Sequence, residues 1–205
     1  YITVTKCASG LKINIEGEYT EGIPRDENNL VYRAIKLVAD RAGENLPGLE
    51  ISLKNYIPPS RGLGSSSAGI VGGLMAGNAL FDMPFKTSQL IDFAAEIEGH
   101  PDNVTPAFTG GFVSCIYKNG MVRYISNPVK NDIGFAAFIP DFYLKTKKAR
   151  SVLPRYVHFR DAVFNTGRSA LLTASLITGD YSNIRSAVAD RLHQNYRKRL
   201  IPGID

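Results

Sequence analysis

Nothing in the 205 residues is apolar for long enough to cross a bilayer as a helix, a task that takes about 20 consecutive apolar residues. The opening Tyr1-Ile-Thr-Val-Thr has the pattern of a strand. It lacks the basic-then-apolar order of a secretory leader, so a cytoplasmic protein without membrane partners is expected. Cysteine is scarce: Cys7 and Cys115 each stand alone in an apolar stretch. With no CxxC pair and no metal-ligand spacing, a disulfide scaffold and a zinc site are both excluded, and two reduced thiols are expected. Internal repeats and low-complexity segments are missing too, which excludes solenoids and disordered linkers. Charge is short on the acidic side, with 24 Lys and Arg against 19 Asp and Glu, a net +5. That balance suits anionic partners. The basic clusters at residues 145–150 and 197–199 lack the interleaved aromatics of a single-strand binder. Nucleic acid is therefore not an expected partner, whereas nucleotides and acidic metabolites are.

What is present is ordinary globular material: 44% hydrophobic and 21% charged residues, enough for one sizeable core or two smaller ones. Residues 1–7 and 11–19 read as strands around a turn at Ser9-Gly10. Ile13 and Ile15 alternate with Lys12, Asn14 and Glu16, so one face is buried. Asn28 or Asn29 caps a helix carrying Leu30, Ala34, Leu37, Val38 and Arg41, which Gly43 ends. Residues 49–54 alternate again. A helix over 68–80 contains Gly69, Gly72, Gly73 and Gly77. Each glycine costs such a helix about 1 kcal/mol relative to alanine, so its backbone is expected to pack very close to a neighbour. Thr87 or Ser88 caps a further helix with Leu90, Ile91, Ala94 and Ile97 on one face, stopped by Gly99. Residues 111–117, 121–126 and 133–139 read as strands, the first two joined by an Asn119-Gly120 hairpin turn. Helices over 160–178 and 181–200 follow, separated by Gly179-Asp180. Helices and hairpins without regular strand–helix alternation predict an α+β fold. A break near residue 128 divides it into domains 1–128 and 129–205.

The most informative segment is Pro58-Pro59-Ser60-Arg61-Gly62-Leu63-Gly64-Ser65-Ser66-Ser67-Ala68. Two glycines and three serines stand directly before a helix. Glycine lets backbone amides converge, and the helix N-terminus adds free amides and the positive end of a dipole. Together they suit a phosphate. The serines add hydroxyl donors, one of which can help hold a magnesium ion. The nucleotide P-loop is excluded, because GxxxxGK[ST] needs a Lys that is not here. The dinucleotide fingerprint would need Gly where Ser67 stands. The plain alternative is a Gly/Ser-rich turn entering a helix.

A second constellation runs from Glu96 through Glu98, His100, Asp102 and Asn103 to Gly110-Gly111. Three ionisable side chains within five residues, just past a helix end, form a dense chemical group. Gly-His-Pro-Asp-Asn is also good turn material, which is the structural alternative.

These two segments carry a family resemblance. Pro-x-x-x-Gly-Leu-Gly-Ser-Ser-x-Ala resembles the ATP-phosphate motif of the GHMP kinases, followed by the small-residue helix that family carries. Glu-Gly-His-Pro-Asp-Asn-Val-x-Pro-Ala resembles the homoserine kinase family in particular. So do Thr146-Lys-Lys-Ala-Arg150 and His193-Gln-Asn-Tyr-Arg197. The resemblance implies a two-domain GHMP-kinase-like fold, with a ribosomal-protein-S5-like amino-terminal domain and a ferredoxin-like carboxy-terminal domain, the latter incomplete here. It implies ATP and Mg²⁺ as cofactors and residues 58–68 as the ATP-phosphate loop. Glu98 is implied as magnesium ligand, with Ser66 beside it and Glu96 as the lesser candidate. His100, Asp102 and Asn103 are implied on the reacting-alcohol side. Thr146, Arg150 and Arg197 are implied as contacts of an amino-acid substrate, since guanidinium matches carboxylate bidentately. Asn165 and Arg168 share a helix face and take a supporting role. The implied reaction is phosphorylation of the L-homoserine hydroxyl by a cytoplasmic enzyme of threonine biosynthesis, as a homodimer. The alternatives are a mevalonate- or sugar-type GHMP kinase, and a non-catalytic nucleic-acid-binding protein on the same fold. Two further family segments lie outside these residues: a Pro-Ala-Thr-x-Asn-Leu-Gly-x-Gly-Phe-Asp stretch and a late Gly-Ala-Gly-Pro-like motif.

Overall fold

A computed structural model describes residues 1–130, 133–139, 142, 144 and 146–203, the side chains of Thr146 and Lys147 excepted. The chain divides into two compact units, Tyr1–Ser126 and Asn127–Asp205.

The first unit is built on three strands: β1 (Ile2–Cys7), β2 (Leu11–Gly17) and β3 (Gly48–Asn55). β3 is central. It runs antiparallel to β1, with Val4 opposite Ile51, and parallel to β2, with Ile13 also opposite Ile51. The Ser9-Gly10 turn therefore does not close a hairpin. β3 inserts between its two strands, and the Gly10 carbonyl accepts a hydrogen bond from the Leu49 amide at 2.9 Å. The crossover between parallel β2 and β3 is α1 (Leu30–Ala42), as parallel pairing requires. Asn29 caps it: its side chain accepts from the Val31 amide at 2.9 Å and donates to the Pro24 carbonyl at 2.7 Å. Gly43, at φ 71°, ends it.

α1 serves two cores. Val31 and Ile35 pack on Ile13, Ile15, Leu49, Ile51 and Leu53 of the sheet. Ala34 and Val38 pack on Ile70, Val71 and Leu74 of α2 (Ser65–Leu80), with Leu90 and Ala94 of α3 (Thr87–Glu98) closing that cluster. The glycines of α2 explain themselves at the α1 contact. A Cβ on Gly73 would stand 2.6 Å from the Val31 carbonyl oxygen, and one on Gly77 3.0 Å from the Ile35 Cα. The expected close approach is there, and the intrinsic helix penalty is offset by burial. α3 begins one residue before the expected caps: Lys86 is the N-cap, and the Gln89 side chain reaches back to accept from its amide at 3.0 Å. A short helix not foreseen from the sequence, α4 (Val104–Thr109), precedes the hairpin of β4 (Phe112–Lys118) and β5 (Met121–Asn127).

The second unit contains α5 (Thr146–Ser151), α6 (Phe159–Thr178), α7 (Ile184–Ala187), α8 (Gln194–Arg197) and a 3₁₀ turn (Lys198–Leu200). Two expectations fail here. The strand over residues 133–139 does not form: it has no ladder partner among the described residues, and Phe135 and Phe138 are exposed. A ferredoxin-like sheet is correspondingly not present among the described residues of this unit. The single helix over 181–200 is broken into α7, α8 and the 3₁₀ turn, because side chains capture its backbone amides. Asp190 Oδ1 accepts from the amides of His193 at 2.6 Å and Gln194 at 2.8 Å, and Asn165 Oδ1 accepts from Arg191 at 2.9 Å. Asp and Asn offer the backbone an alternative to helical bonding, and here it wins.

Candidate active site

The loop before α2 is anchored at one end by buried Pro58 and opens at Gly62 and Gly64. Gly64 is the N-cap of α2, at φ 75°, and has no side chain with which to cap it. The first intrahelical bond there is the Ala68 amide to the Gly64 carbonyl, at 2.8 Å. The amides of Ser65, Ser66 and Ser67 thus have no helical carbonyl to bond. A Cβ at Gly62 or Gly64 would meet nothing within 4 Å. Glycine is needed there for its left-handed backbone, and the surrounding space is open to a ligand. Asn55, at the end of β3, ties down the approach to this loop. Its amide donates to the carbonyls of Tyr19 at 2.6 Å and Ile57 at 3.1 Å, and its Oδ1 accepts from the Ile57 amide at 3.2 Å. Asn55 belongs to none of the motifs above; an Asx turn at the end of a strand is the signal that points to it.

Ser66 is exposed, and its Oγ donates to Glu98 Oε1 at 2.9 Å. The first turn of α2 and the last residue of α3 thereby meet. Glu96 is taken elsewhere: Arg41 of α1 holds both its oxygens, at 2.9 and 2.8 Å, while lying over the Phe93 ring. Of the two acids, Glu98 is the one that the first turn of α2 reaches. Ser67 turns the other way. It is 1% exposed on the face of α2 that carries Ile70, Val71 and Leu74, so Ser65 and Ser66 supply the hydroxyls at the loop.

Past Gly99 the chain bends, and His100 Nδ1 lies against Asp102 Oδ1. The His100 side chain is mostly covered and that of Asp102 mostly exposed. Asn103 is exposed just before α4 and makes no capping bond with its side chain. Burial pushes the Cys115 thiol up; the Thr105 hydroxyl opposes this and the charge of Asp102 adds to it. Cys115 of β4 therefore lies within electrostatic reach of the His100–Asp102 turn.

Magnesium favours oxygen ligands and takes one or two carboxylates together with phosphate oxygens and water. A hydroxyl and a single carboxylate at 2.9 Å, next to free helix amides, fit that demand. No cluster of three or more His, Cys, Asp or Glu able to hold a metal alone exists among the described residues.

In the second unit, Arg197 ends α8, and its Nε donates to the Ala149 carbonyl at 3.3 Å, next to exposed Arg150 on α5. Arg197 thereby reaches the residue that precedes Arg150. Thr146 starts α5, and its side chain lies outside the described residues. Asn165 and Arg168 sit on α6 as expected, with Arg168 over the Phe164 ring. Among the described residues no helix is long and apolar enough to cross a membrane.

The profile of the GHMP kinases N terminal domain matches residues 29–111, which include the loop, α2, α3 and the turn after it. The chain belongs to the GHMP kinase superfamily, a mixed α+β fold. Within that superfamily it is most like the homoserine kinases. It is 47% identical over 204 residues to homoserine kinase of Caldicellulosiruptor saccharolyticus, covering 100% of this chain and 66% of that protein. To homoserine kinase of Clostridium botulinum strain Alaska E43 it is 47% identical over 201 residues, covering 96% and 65%. The structure of homoserine kinase from Cytophaga hutchinsonii superposes with a TM-score of 0.84 at 29% identity, covering 98% of this chain and 66% of that one. That of L. major mevalonate kinase superposes at 0.64 and 18%, a likeness of fold. The chain thus spans a little under two thirds of the length of the curated relatives it matches.

Proposed function

We propose that the protein transfers the γ-phosphoryl group of ATP to the side-chain hydroxyl of L-homoserine. The observation that carries this is the Ser66–Glu98 hydrogen bond. It puts a carboxylate and a hydroxyl beside three free helix amides, in a chain 45–50% identical to curated homoserine kinases. The amides of Ser65, Ser66 and Ser67 bind phosphate oxygens, and Gly62 and Gly64 let the backbone approach them. Glu98 and Ser66 would hold magnesium, which supplies positive charge against the phosphates. In the transfer, the bond from γ-phosphorus to the ADP oxygen breaks as the bond to the homoserine oxygen forms, and the hydroxyl proton is released. Such a transfer depends on positioning and charge more than on a strong base. His100, Asp102 and Asn103 orient the hydroxyl, and Asp102 stands closest to the role of proton acceptor. Arg150 and Arg197 hold the amino acid's carboxylate, with Thr146 beside them.

The test is ADP release by the full chain with ATP and magnesium, comparing L-homoserine, mevalonate, galactose and no acceptor. Turnover with homoserine alone is expected. Turnover with mevalonate or galactose in its place keeps the superfamily and removes the assignment of the arginines.

A further inference from the structure

Arg197 lies on a helix too short to hold itself. α8 has four residues, far below the length at which backbone bonding sustains a helix. Its orientation must come from its attachments. One is at its C-terminal end, where Arg197 Nε meets the Ala149 carbonyl. A second is Asp190, whose side chain is only 8% exposed. Its Oδ1 accepts the amides of His193 and Gln194, the first two of the turn that becomes α8. Its Oδ2 accepts from Asn165 Nδ2 at 2.5 Å, and the Asn165 Oδ1 accepts from the Arg191 amide at 2.9 Å. Asn165 belongs to α6, the 20-residue helix of this unit. One side-chain pair thus ties the start of α8 to the longest helix of the unit at both of its polar atoms.

We infer that Asn165 and Asp190 are positioning residues for substrate recognition: their pairing fixes α8 so that the Arg197 guanidinium stands beside Arg150. Neither touches the substrate; they act through Arg197. The inference rests on the reading that Arg150 and Arg197 bind the substrate carboxylate. A partly buried polar pair bonded at both of its residues favours one geometry, because the alternatives leave a group unpaired. Burial pushes the Asp190 carboxyl up, but the amides of Gln194, His193 and Asn165 hold it below the usual carboxylate range, so it stays in the accepting form.

The experiment is steady-state kinetics of the full chain with both substrates varied. Asn165→Asp sets two carboxylates against each other. It is expected to raise the homoserine KM about tenfold, with the ATP KM unchanged within about twofold. The exchange Asn165→Asp with Asp190→Asn restores one amide against one carboxylate, with the polarity reversed. It leaves an oxygen for the His193 and Gln194 amides and is expected to return the homoserine KM to within about threefold of the parent. Should Asn165→Asp lose its circular-dichroism signature, Asn165→Ala, which deletes the bonds without adding charge, takes its place. An unchanged homoserine KM in the folded single variant, an equal rise in both KM values, or a folded exchange variant that does not recover would each overturn the inference. Arg197→Ala is run alongside. If it too leaves the homoserine KM unmoved, the carboxylate assignment itself falls and takes this inference with it.

Discussion

Ser66 Oγ donates to Glu98 Oε1 at 2.9 Å across 32 residues of sequence. The bond joins the beginning of α2 to the end of α3, and both ends are fixed by glycine. Gly64 takes a left-handed conformation before Ser65, and Gly99 does so after Glu98. The core beneath holds the two helices at this spacing through Ile70, Leu74, Leu90 and Ala94. A hydroxyl and a carboxylate in contact, with helix amides beside them, form a place for a cation and a polyanion together.

The glycines of this region separate function from stability. Gly64→Ala forces an alanine into the left-handed region at a cost of about 1–2 kcal/mol, with open space around the new methyl. In open space the unliganded loop can relax out of that conformation, so the cost falls on ATP binding, which must restore it: the ATP KM is expected to rise about 5- to 30-fold with little loss of melting temperature. Gly73→Ala drives a methyl into the Val31 carbonyl. It is expected to destabilise by about 1–3 kcal/mol, with the ATP KM intact in the folded fraction. Thermal unfolding and ATP saturation curves of both variants check the pair.

Arg197→Ala and Arg150→Ala are each expected to raise the homoserine KM about 10- to 100-fold, the worth of a charge-assisted hydrogen bond. The ATP KM stays within about twofold of the parent. A parallel rise for ATP assigns the arginines to structure instead.

Burial pushes the Asp190 carboxyl up, but the amides of Gln194 and His193, the Asn165 amide and the nearby His193 together hold it below the usual carboxylate range. A folded value below the unfolded one, about 3.9, fixes the sign. The stability it contributes is present above that value and is lost as pH falls through the depressed folded value. Wild type is therefore expected to lose melting temperature more steeply than Asp190→Asn on acidification below about pH 4. Superimposable profiles for the two proteins contradict it.

Much of the first unit was legible because local signals and burial agree there. The alternation of Ile13 and Ile15, the Asn29 cap, the Asn119-Gly120 turn and the glycines of α2 each have one physical reading, and the fold honours it. The left-handed glycine and the open helix start of the loop before α2 were legible from its own residues. What separates Glu98 from Glu96 was not legible: Arg41, 55 residues earlier, takes Glu96, and Ser66 meets Glu98. The sheet order was hidden for a similar reason: β3 separates two strands that follow one another across the Ser9-Gly10 turn. In the second unit the helical pattern over 181–200 was overridden by Asp190 and Asn165, whose competition with backbone bonding depends on a partner 25 residues away. Residues 133–139 alternate like a strand, but alternation supplies no partner strand.

Thiol chemistry offers a check on the turn after α3. Cys115 is half-buried with its acidity pushed down by burial and by Asp102, whereas Cys7 is exposed. A disulfide reagent near neutral pH is expected to label Cys7 at least about tenfold faster, and Asp102→Asn to speed the labelling of Cys115. Equal rates at the two positions remove Cys115 from that environment.

The pairing of Ser66 with Glu98 is tested most directly by a double-mutant cycle on magnesium-dependent ADP release with L-homoserine. The full chain is compared with Ser66→Ala, Glu98→Gln and the double variant. Glu98→Gln is expected to lower kcat about 10²- to 10³-fold, as the loss of one preorganised charge-stabilising group does. Both single variants should need more magnesium for half-maximal rate. Because the two groups serve one ion, their effects should fall short of additivity by at least about 1 kcal/mol. Additive losses, with an unchanged magnesium requirement in folded variants, would show that the two residues touch without sharing a metal.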